Sequence, residues 1–135
     1  MILVDTNILL DVATRDSHWA EWSLQAIEQE AVKGPLYINA IVYAELSTRY
    51  ASVEAVDGFI ENTGASIIEI PRTAAFLAAK AYSRYRKAGG TRTGVLSDFF
   101  IGAHAVALDI PVLTRDVGRY RAYFPNLRLV APQLN

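Results

Sequence analysis

The first eleven residues, MILVDTNILLD, constrain the fold more than any other part of this chain. Ile2, Leu3 and Val4 form a short apolar run that ends at Asp5, and apolar residues resume directly after Asn7. This pattern predicts a buried central strand whose carboxyl end presents Asp5 at the edge of a sheet, with a turn or a helix start after it. Ligands of open parallel sheets bind outside the carboxyl ends of the strands. Residues that fold beside Asp5 are therefore the first candidates for function.

The composition indicates one folded domain over residues 1–135. The chain is 52% hydrophobic, which is typical of a globular protein with its own core. It has no cysteine, so a disulfide scaffold and a thiolate metal site are excluded. No apolar run approaches the roughly 18 residues of a membrane span, and the N-terminus lacks the basic segment of a secretory signal. We therefore expect a soluble, cytoplasmic protein.

Charge is distributed unevenly along the chain, although the net charge is only −1. Residues 1–71 contain eleven acidic and three basic residues, a net charge of −8, whereas residues 72–135 contain three acidic and ten basic residues, a net charge of +7. The basic half would attract a polyanion such as a nucleic acid. A scattered, solvated surface explains the same counts equally well.

Apolar runs and helical patterns alternate from one end of the chain to the other. Strands are predicted over residues 2–4, 36–39, 66–70, 111–114 and 128–130. Helices are predicted over residues 18–33, 40–50, 53–62, 73–87, 98–108 and about 117–123, with Ser17, Ser52 and Ser97 as N-caps and Gly64 as a helix end. Residues 88–94 are predicted to form a mobile loop. Such alternation favours crossover connections, and hence an α/β fold with a mainly parallel sheet of four to five strands.

Four acidic residues fall where they could meet at one edge of this sheet. Asp5 and Asp116 come just after predicted strands, while Glu45 and Asp98 lie on helices close to a strand end or loop. Two unit charges about 4 Å apart repel by roughly 4 kcal/mol at an effective dielectric constant near 20. Convergence would therefore require protonation or a divalent cation. Carboxylate oxygens suit Mg²⁺ or Mn²⁺, and such a site typically activates water for phosphodiester hydrolysis.

Each of these acids also has a purely structural explanation. Asp98 would complement a helix dipole, Asp116 would cap the following helix, and Glu45 would be an ordinary solvated helix residue. Asp5 is the hardest to explain in this way, because an acid directly after a buried strand has little structural use. The other aspartates, Asp11, Asp16, Asp57 and Asp109, are predicted to be surface or capping residues. The argument for a site rests on the four acids together.

Five short segments, in order, resemble the PIN-domain ribonucleases, and in particular the VapC-like toxins of prokaryotic toxin–antitoxin pairs. The resemblance covers nearly the whole chain. Each segment alone is weakly specific, but the ordered set at this chain length is specific. The segments are ILVDTN (2–7), YAEL (43–46), LSDF (96–99), VLTRD (112–116) and FPNL (124–127).

The resemblance implies a three-layer α/β/α sandwich and a metal-dependent endoribonuclease. In that family the matching acids bind Mg²⁺ or Mn²⁺ and support RNA cleavage. The family also implies a homodimer and a small antitoxin that inserts a segment over the acidic cleft. The implied residues are Asp5, Glu45, Asp98 and Asp116 as catalytic metal ligands, Asn7 and Thr114 as supporting polar residues, and Arg92 and Arg115 as RNA contacts at the rim.

Two other functions are compatible with parts of the sequence. Asp5-Thr-Asn7 after an apolar strand faintly resembles the aspartyl-nucleophile phosphatases, although those enzymes need a second acid where Asn7 stands. A non-catalytic module for RNA or protein binding could also have kept the fold. Trapping of a phosphorylated enzyme would support the phosphatase. Absence of both metal binding and RNA cleavage would support the binding module.

Overall fold

A computed structural model describes residues 1–133 of the chain. Within that part, five strands are separated by one or two helices each, giving seven helices where six were predicted; the additional helix forms at the turn or helix start expected directly after Asp5. The strands are β1 (Ile2–Val4), β2 (Leu36–Ile38), β3 (Ser66–Ile67), β4 (Val112–Leu113) and β5 (Leu129–Val130). The helices are α1 (Thr6–Ala13), α2 (Ala20–Lys33), α3 (Ala40–Ser47), α4 (Val53–Thr63), α5 (Arg72–Lys87), α6 (Leu96–Leu108) and α7 (Val117–Tyr123).

The five strands form one parallel sheet with the order β3-β2-β1-β4-β5. The first strand of the chain is therefore the central one, and Leu3 pairs with Tyr37 on one side and with Val112 on the other. All three residues of β1 are buried, so both faces of the sheet are covered at its centre. The predicted α/β sandwich with a parallel sheet is confirmed.

Local capping explains where several helices begin and end. Asn39 directly follows β2, and its side-chain oxygen accepts hydrogen bonds from the amides of Ile41 and Val42 at 3.0 and 3.1 Å, which starts α3. Ser52 accepts from the amide of Ala55 and starts α4. Gly64 ends α4 with φ +82°, a left-handed conformation that favours glycine. The predicted cap and helix end of α4 are thus confirmed.

Two predicted caps are wrong. Ser17 does not cap a helix, because Asp16 accepts hydrogen bonds from the amides of His18 and Trp19 at 2.9 Å and holds a turn, so that α2 begins only at Ala20. Ser97 does not cap α6 either, since that helix already begins at Leu96 and its N-cap residue makes no side-chain hydrogen bond. In the first case the neighbouring Asp16 takes the local capping role, and in the second the helix begins two residues earlier than predicted.

No helix in residues 1–133 combines the length and the apolar character needed to cross a lipid bilayer.

Gly102, in the middle of α6, marks the closest approach between this helix and the segment after α7. A Cβ atom at Gly102 would lie 2.4 Å from Cε2 of the buried Phe124 ring. We expect Gly102→Ala to lower the free energy of unfolding by about 1–3 kcal/mol, because the ring must move within a packed core. Urea unfolding followed by circular dichroism measures this change.

Gly118 offers a matched control in α7, because a Cβ atom there would meet nothing within 4 Å. Gly118→Ala is expected to stabilise the protein by up to about 1 kcal/mol, since alanine has the higher helix propensity. If the two alanine variants were equally stable, the close packing of Gly102 against Phe124 would be contradicted.

Candidate metal centre

Asp5 lies at the carboxyl end of β1, buried and fixed by three hydrogen bonds. Its Oδ1 atom accepts from the backbone amide of Thr6 at 2.7 Å, which also caps α1. Its Oδ2 atom accepts from the Thr114 hydroxyl at 2.8 Å and from the side-chain amide of Asn7 at 3.2 Å. The two residues that the sequence predicts to support the site, Asn7 and Thr114, therefore both contact Asp5 directly.

The environment of Asp5 disfavours its ionised form. Burial, together with the nearby carboxylate of Asp98, raises the pKa of this carboxyl group from 3.8 to about 6, against the lowering effect of the Thr114 hydrogen bond. A bound cation would reverse this balance, because positive charge favours the carboxylate. The position of Asp5 is thus electrostatically suited to a cation.

Glu45 is linked to the same edge of the sheet through Thr6. The Thr6 hydroxyl donates to Oε1 of Glu45 at 2.7 Å, while the Thr6 amide donates to Asp5. Thr6 was not among the residues predicted for the site. Its position directly between Asp5 and Asn7 at the start of α1 is the signal that would have identified it.

Asp98 and Asp116 are joined by one arginine. Nη1 of Arg119 lies 2.9 Å from Oδ2 of Asp98, and its Nε lies 2.8 Å from Oδ2 of Asp116. Asp116 begins α7 as its N-cap, and the Asp116 amide donates to the Thr114 hydroxyl at 2.9 Å. Burial raises the pKa of Asp98, the Arg119 contact opposes this shift, and the carboxylates of Asp116 and Glu45 add to it.

The four predicted acids therefore belong to one connected network at the carboxyl edge of β1 and β4. Thr6 links Asp5 to Glu45, Thr114 links Asp5 to Asp116, and Arg119 links Asp116 to Asp98. Within residues 1–133, however, no group of three or more acidic or histidine side chains is arranged to hold one metal ion. The arrangement fits Mg²⁺ in its usual form, bound through one or two carboxylates with several water molecules completing the shell.

Tyr120 adds a buried hydroxyl that sequence reasoning missed. The side chain is fully buried, and its hydroxyl lies beside the Asp5 carboxylate, although no hydrogen bond of good geometry reaches it within residues 1–133. Burial and the carboxylates of Asp5, Asp98 and Asp116 hold the pKa of this hydroxyl well above its ordinary value of 10, so it remains protonated. A protonated hydroxyl beside several carboxylates can donate to one of them or to a water molecule between them. The signal in the sequence is its spacing, one helical turn after Asp116.

Asp11 corrects a further prediction, because it is buried and not a surface or capping residue. Its carboxylate accepts from Nε and Nη2 of Arg115 at 2.6 and 2.9 Å and from the Ser23 hydroxyl at 2.7 Å. The Arg115 guanidinium also lies over the Trp19 ring, 4.8 Å from its centre. This bidentate pair ties the segment after β4 to α1 and α2.

The two arginines predicted to contact RNA differ in their surroundings. Arg115 is held by Asp11, and its backbone amide donates to the side chain of Asn7 at 3.2 Å. Arg92 lies in the exposed loop between α5 and α6, and its backbone amide donates to the Tyr85 hydroxyl at 2.9 Å. Within the described residues Arg92 forms no ion pair, so its side chain is the freer of the two. Both RNA contacts stay predictions.

Comparisons with known proteins agree with this architecture. The family model for the PIN domain matches residues 2–125. No curated protein sequence matches significantly. One similar solved structure is the VapBC2 complex of Rickettsia felis bound to a promoter DNA fragment, in which the matching chain is 21% identical, with a TM-score of 0.74 over 98% of this chain and 100% of that chain.

Two further solved structures share the fold over similar lengths. VapBC-1 of nontypeable Haemophilus influenzae matches with 18% identity and a TM-score of 0.72, over 97% of this chain and 98% of that chain. A toxin–antitoxin complex of Klebsiella pneumoniae matches with 22% identity and a TM-score of 0.66, over the full length of both chains. At such identities the likeness is one of fold.

Proposed function

The chain belongs to the PIN domain family, and on that premise we propose that it is a single-domain endoribonuclease that needs Mg²⁺ or Mn²⁺. The observation that carries this proposal is the connected network of Asp5, Glu45, Asp98 and Asp116 at the carboxyl edge of the central strands. These acids come from distant parts of the chain, and a purely structural role for each would not require them to meet.

The chemistry of the ligand atoms determines which metal ions the proposed site prefers. Oxygen atoms of carboxylates and hydroxyls surround the site, and hard ligands of this kind bind Mg²⁺ or Mn²⁺ in preference to Zn²⁺ or copper. When bound, such a cation activates an attacking water molecule and offsets negative charge that develops on the phosphate. The four acids are the proposed ligands, directly or through water.

The protein's own residues have distinct roles in this proposal. Asp5 is held rigidly by Thr6, Asn7 and Thr114, so its oxygen atoms keep one orientation without reorganisation. Thr6 orients Glu45 through the short hydroxyl contact. Tyr120 keeps its proton, so it can donate a hydrogen bond to the Asp5 carboxylate, or exchange one with a water molecule beside it.

The proposed substrate is RNA, guided by the basic half of the chain. Residues 72–135 carry a net charge of +7, and this half contributes the exposed arginines Arg84, Arg86 and Arg92 on α5 and the following loop. Lys/Arg contacts to phosphates supply affinity without reading sequence. Arg92 is the proposed contact at the rim, because its guanidinium is free of ion pairs in the described residues.

The proposed setting is a cytoplasmic toxin–antitoxin pair, as in the VapBC complexes that share this fold. An apolar groove of about 270 Å³ between α1, α2 and α4, lined in part by Leu24, Ile27 and Phe59, would accept a segment of a small antitoxin. On α5, Phe76 is 61% exposed and would suit contact with a second copy of the chain. A homodimer that binds an antitoxin is therefore part of the proposal.

The decisive experiment is metal-dependent cleavage of a broad RNA panel by the purified protein. Cleavage is expected in Mg²⁺ or Mn²⁺ and not in EDTA, and Asp98→Asn should reduce the rate by about 100-fold or more because a ligand of the cation is lost. Asp109→Asn is the matched control on the same helix, since Asp109 is exposed at the C-terminus of α6 and asparagine tolerates its left-handed backbone.

The control should cleave at the wild-type rate, and circular dichroism should show that both variants remain folded. Cleavage that persists in EDTA, or that survives Asp98→Asn, would contradict the proposal. A folded protein that neither binds Mn²⁺ nor cleaves any RNA would instead be a non-catalytic binding module, and a trapped phospho-Asp5 would indicate a phosphatase.

A further inference from the structure

Arg119 is the one cation that forms ion pairs with the four acids within residues 1–133. Its guanidinium reaches Oδ2 of Asp98 at 2.9 Å and Oδ2 of Asp116 at 2.8 Å. Asp5 and Glu45, in contrast, are held by neutral donors, and the nearby Arg115 is engaged by Asp11. Within the described residues, Arg119 is therefore the only cation that neutralises the charges of Asp98 and Asp116 by direct contact.

We propose that Arg119 competes with the divalent cation for Asp98 and Asp116 and thereby sets the metal affinity of the site. This inference rests on the proposed metal-dependent function. The guanidinium and a coordinated cation would use the same carboxylate oxygens, and their like charges would repel at that separation. Under this proposal, metal binding through these two acids displaces Arg119 from at least one of them.

The surroundings of Arg119 allow such an exchange. Its side chain is 35% exposed, so the guanidinium has a path to solvent. The side chain of Asp116 is also about one-third exposed, and ion pairs of this kind are weakened by water. The backbone contact from the Arg119 amide to Asp116 does not depend on the guanidinium, so α7 keeps its cap when the side chain moves.

The alternative is that Arg119 only orders the two carboxylates for the cation and stays in contact after binding. The two roles predict opposite signs when the charge is removed. A competing cation weakens metal binding, so its loss tightens binding. An ordering residue strengthens metal binding, so its loss weakens binding.

The test measures Mn²⁺ affinity by isothermal titration calorimetry in wild-type protein, in Arg119→Gln and in the control Arg121→Gln. Arg121 lies on the same helix but is exposed and forms no ion pair within the described residues. We expect Arg119→Gln to bind Mn²⁺ about tenfold more tightly, because two partly exposed ion pairs no longer compete. The concentration of Mg²⁺ for half-maximal RNA cleavage should fall by a similar factor, and Arg121→Gln should match the wild type.

Arg119→Lys provides a second variant in case glutamine disturbs the fold. Lysine keeps the charge but lacks the fork that reaches both acids, so its Mn²⁺ affinity should lie between the wild-type and Arg119→Gln values. Equal or weaker Mn²⁺ binding by both folded variants would overturn the inference while leaving the nuclease proposal intact. Absence of Mn²⁺ binding in every protein would overturn both, whereas tighter binding without RNA cleavage would overturn only the nuclease proposal.

Discussion

Replacing Asp5 by asparagine is expected to abolish RNA cleavage and, at the same time, to make the folded protein more stable at neutral pH. The loss of activity should reach about 1,000-fold, because a fixed acid at the centre of the network no longer carries charge. The gain in stability follows from burial, which raises the pKa of Asp5 from 3.8 to about 6. An ionised carboxylate at this position therefore lowers the free energy of unfolding.

The sign of the pH dependence follows from that shift. Between about pH 4 and pH 6 the folded protein holds the Asp5 proton more tightly than the unfolded chain, so stability decreases as pH rises through this range. Above pH 6 the buried, ionised carboxylate lowers the free energy of unfolding by an amount on the order of 3 kcal/mol. Asparagine avoids this cost but turns an amide group towards the donors of Thr114 and Asn7, so a net gain of about 1–2 kcal/mol is expected.

Urea unfolding in EDTA measures this prediction at pH 7.5 and at pH 4. Asp5→Asn should be more stable than wild type at pH 7.5 and should lose that advantage by pH 4, where Asp5 is protonated in the folded state. At pH 4 only the mismatch between the amide and its donors remains, so the variant should then be about 1–2 kcal/mol less stable than wild type. Asp109→Asn, at an exposed position, should show no difference at either pH. A variant that is less stable than wild type at pH 7.5 would show that the carboxylate stabilises the fold.

Asp11→Asn is expected to destabilise the fold more than the loss of any of the four acids in the network. The change removes the charge that faces the Arg115 guanidinium and leaves that cation partly buried over the Trp19 ring. Breaking a fully buried pair costs about 3–5 kcal/mol, and the 27% exposure of the Arg115 side chain reduces the expected loss to about 2–3 kcal/mol.

A double-mutant cycle with Arg115→Gln separates this pair from other effects. The two single variants should each be destabilised, and the double variant should be less destabilised than the sum of the two, with a coupling free energy of about 1–2 kcal/mol. The exposed pair between Asp109 and Arg128 serves as a control cycle and should show no measurable coupling. If the losses of stability in the two single variants were additive, the ion pair between Asp11 and Arg115 would have no coupling free energy.

The same substitution should also weaken metal binding, although Asp11 does not belong to the acidic network. The backbone amide of Arg115 donates to Asn7, which in turn donates to Asp5. When Asp11 no longer holds the Arg115 side chain, the Arg115 backbone becomes less fixed. The contacts that orient Asp5 through Asn7 should then loosen. Calorimetry with Mn²⁺ on the folded variant measures this indirect effect.

The sequence contains enough information for the sheet and for the four acids, because both depend on local patterns and on the rule that parallel strands share an edge. Asp5 directly follows one apolar strand and Asp116 comes shortly after another, and the alternation of elements predicts that those strands are parallel. The acids on helices, Glu45 and Asp98, were predicted from their positions near a strand end or loop, and the family resemblance supports them, since a helical acid alone is usually solvated.

The residues that sequence reasoning missed act through packing between elements far apart in the chain. Tyr120 and Arg119 matter because α7 lies against the first turn of α6, and Asp11 matters because the segment after β4 folds back onto α1. The spacing of Tyr120 places it one helical turn after Asp116, but no pattern in the sequence shows that α7 packs against α6. The wrong caps at Ser17 and Ser97 have local causes, because Asp16 holds the turn before α2 and α6 already begins at Leu96.

The order of the sheet also has a consequence for the synthesis of the protein. β4, which precedes Thr114 and Asp116, lies between the first strand and β5, and the amides of Val112 and Thr114 donate to carbonyl groups of Arg128 and Val130. Because β4 also pairs with β1, a nascent chain can form that contact first, and the outer side of β4 is completed only when residues 128–130 have been synthesised and β5 docks.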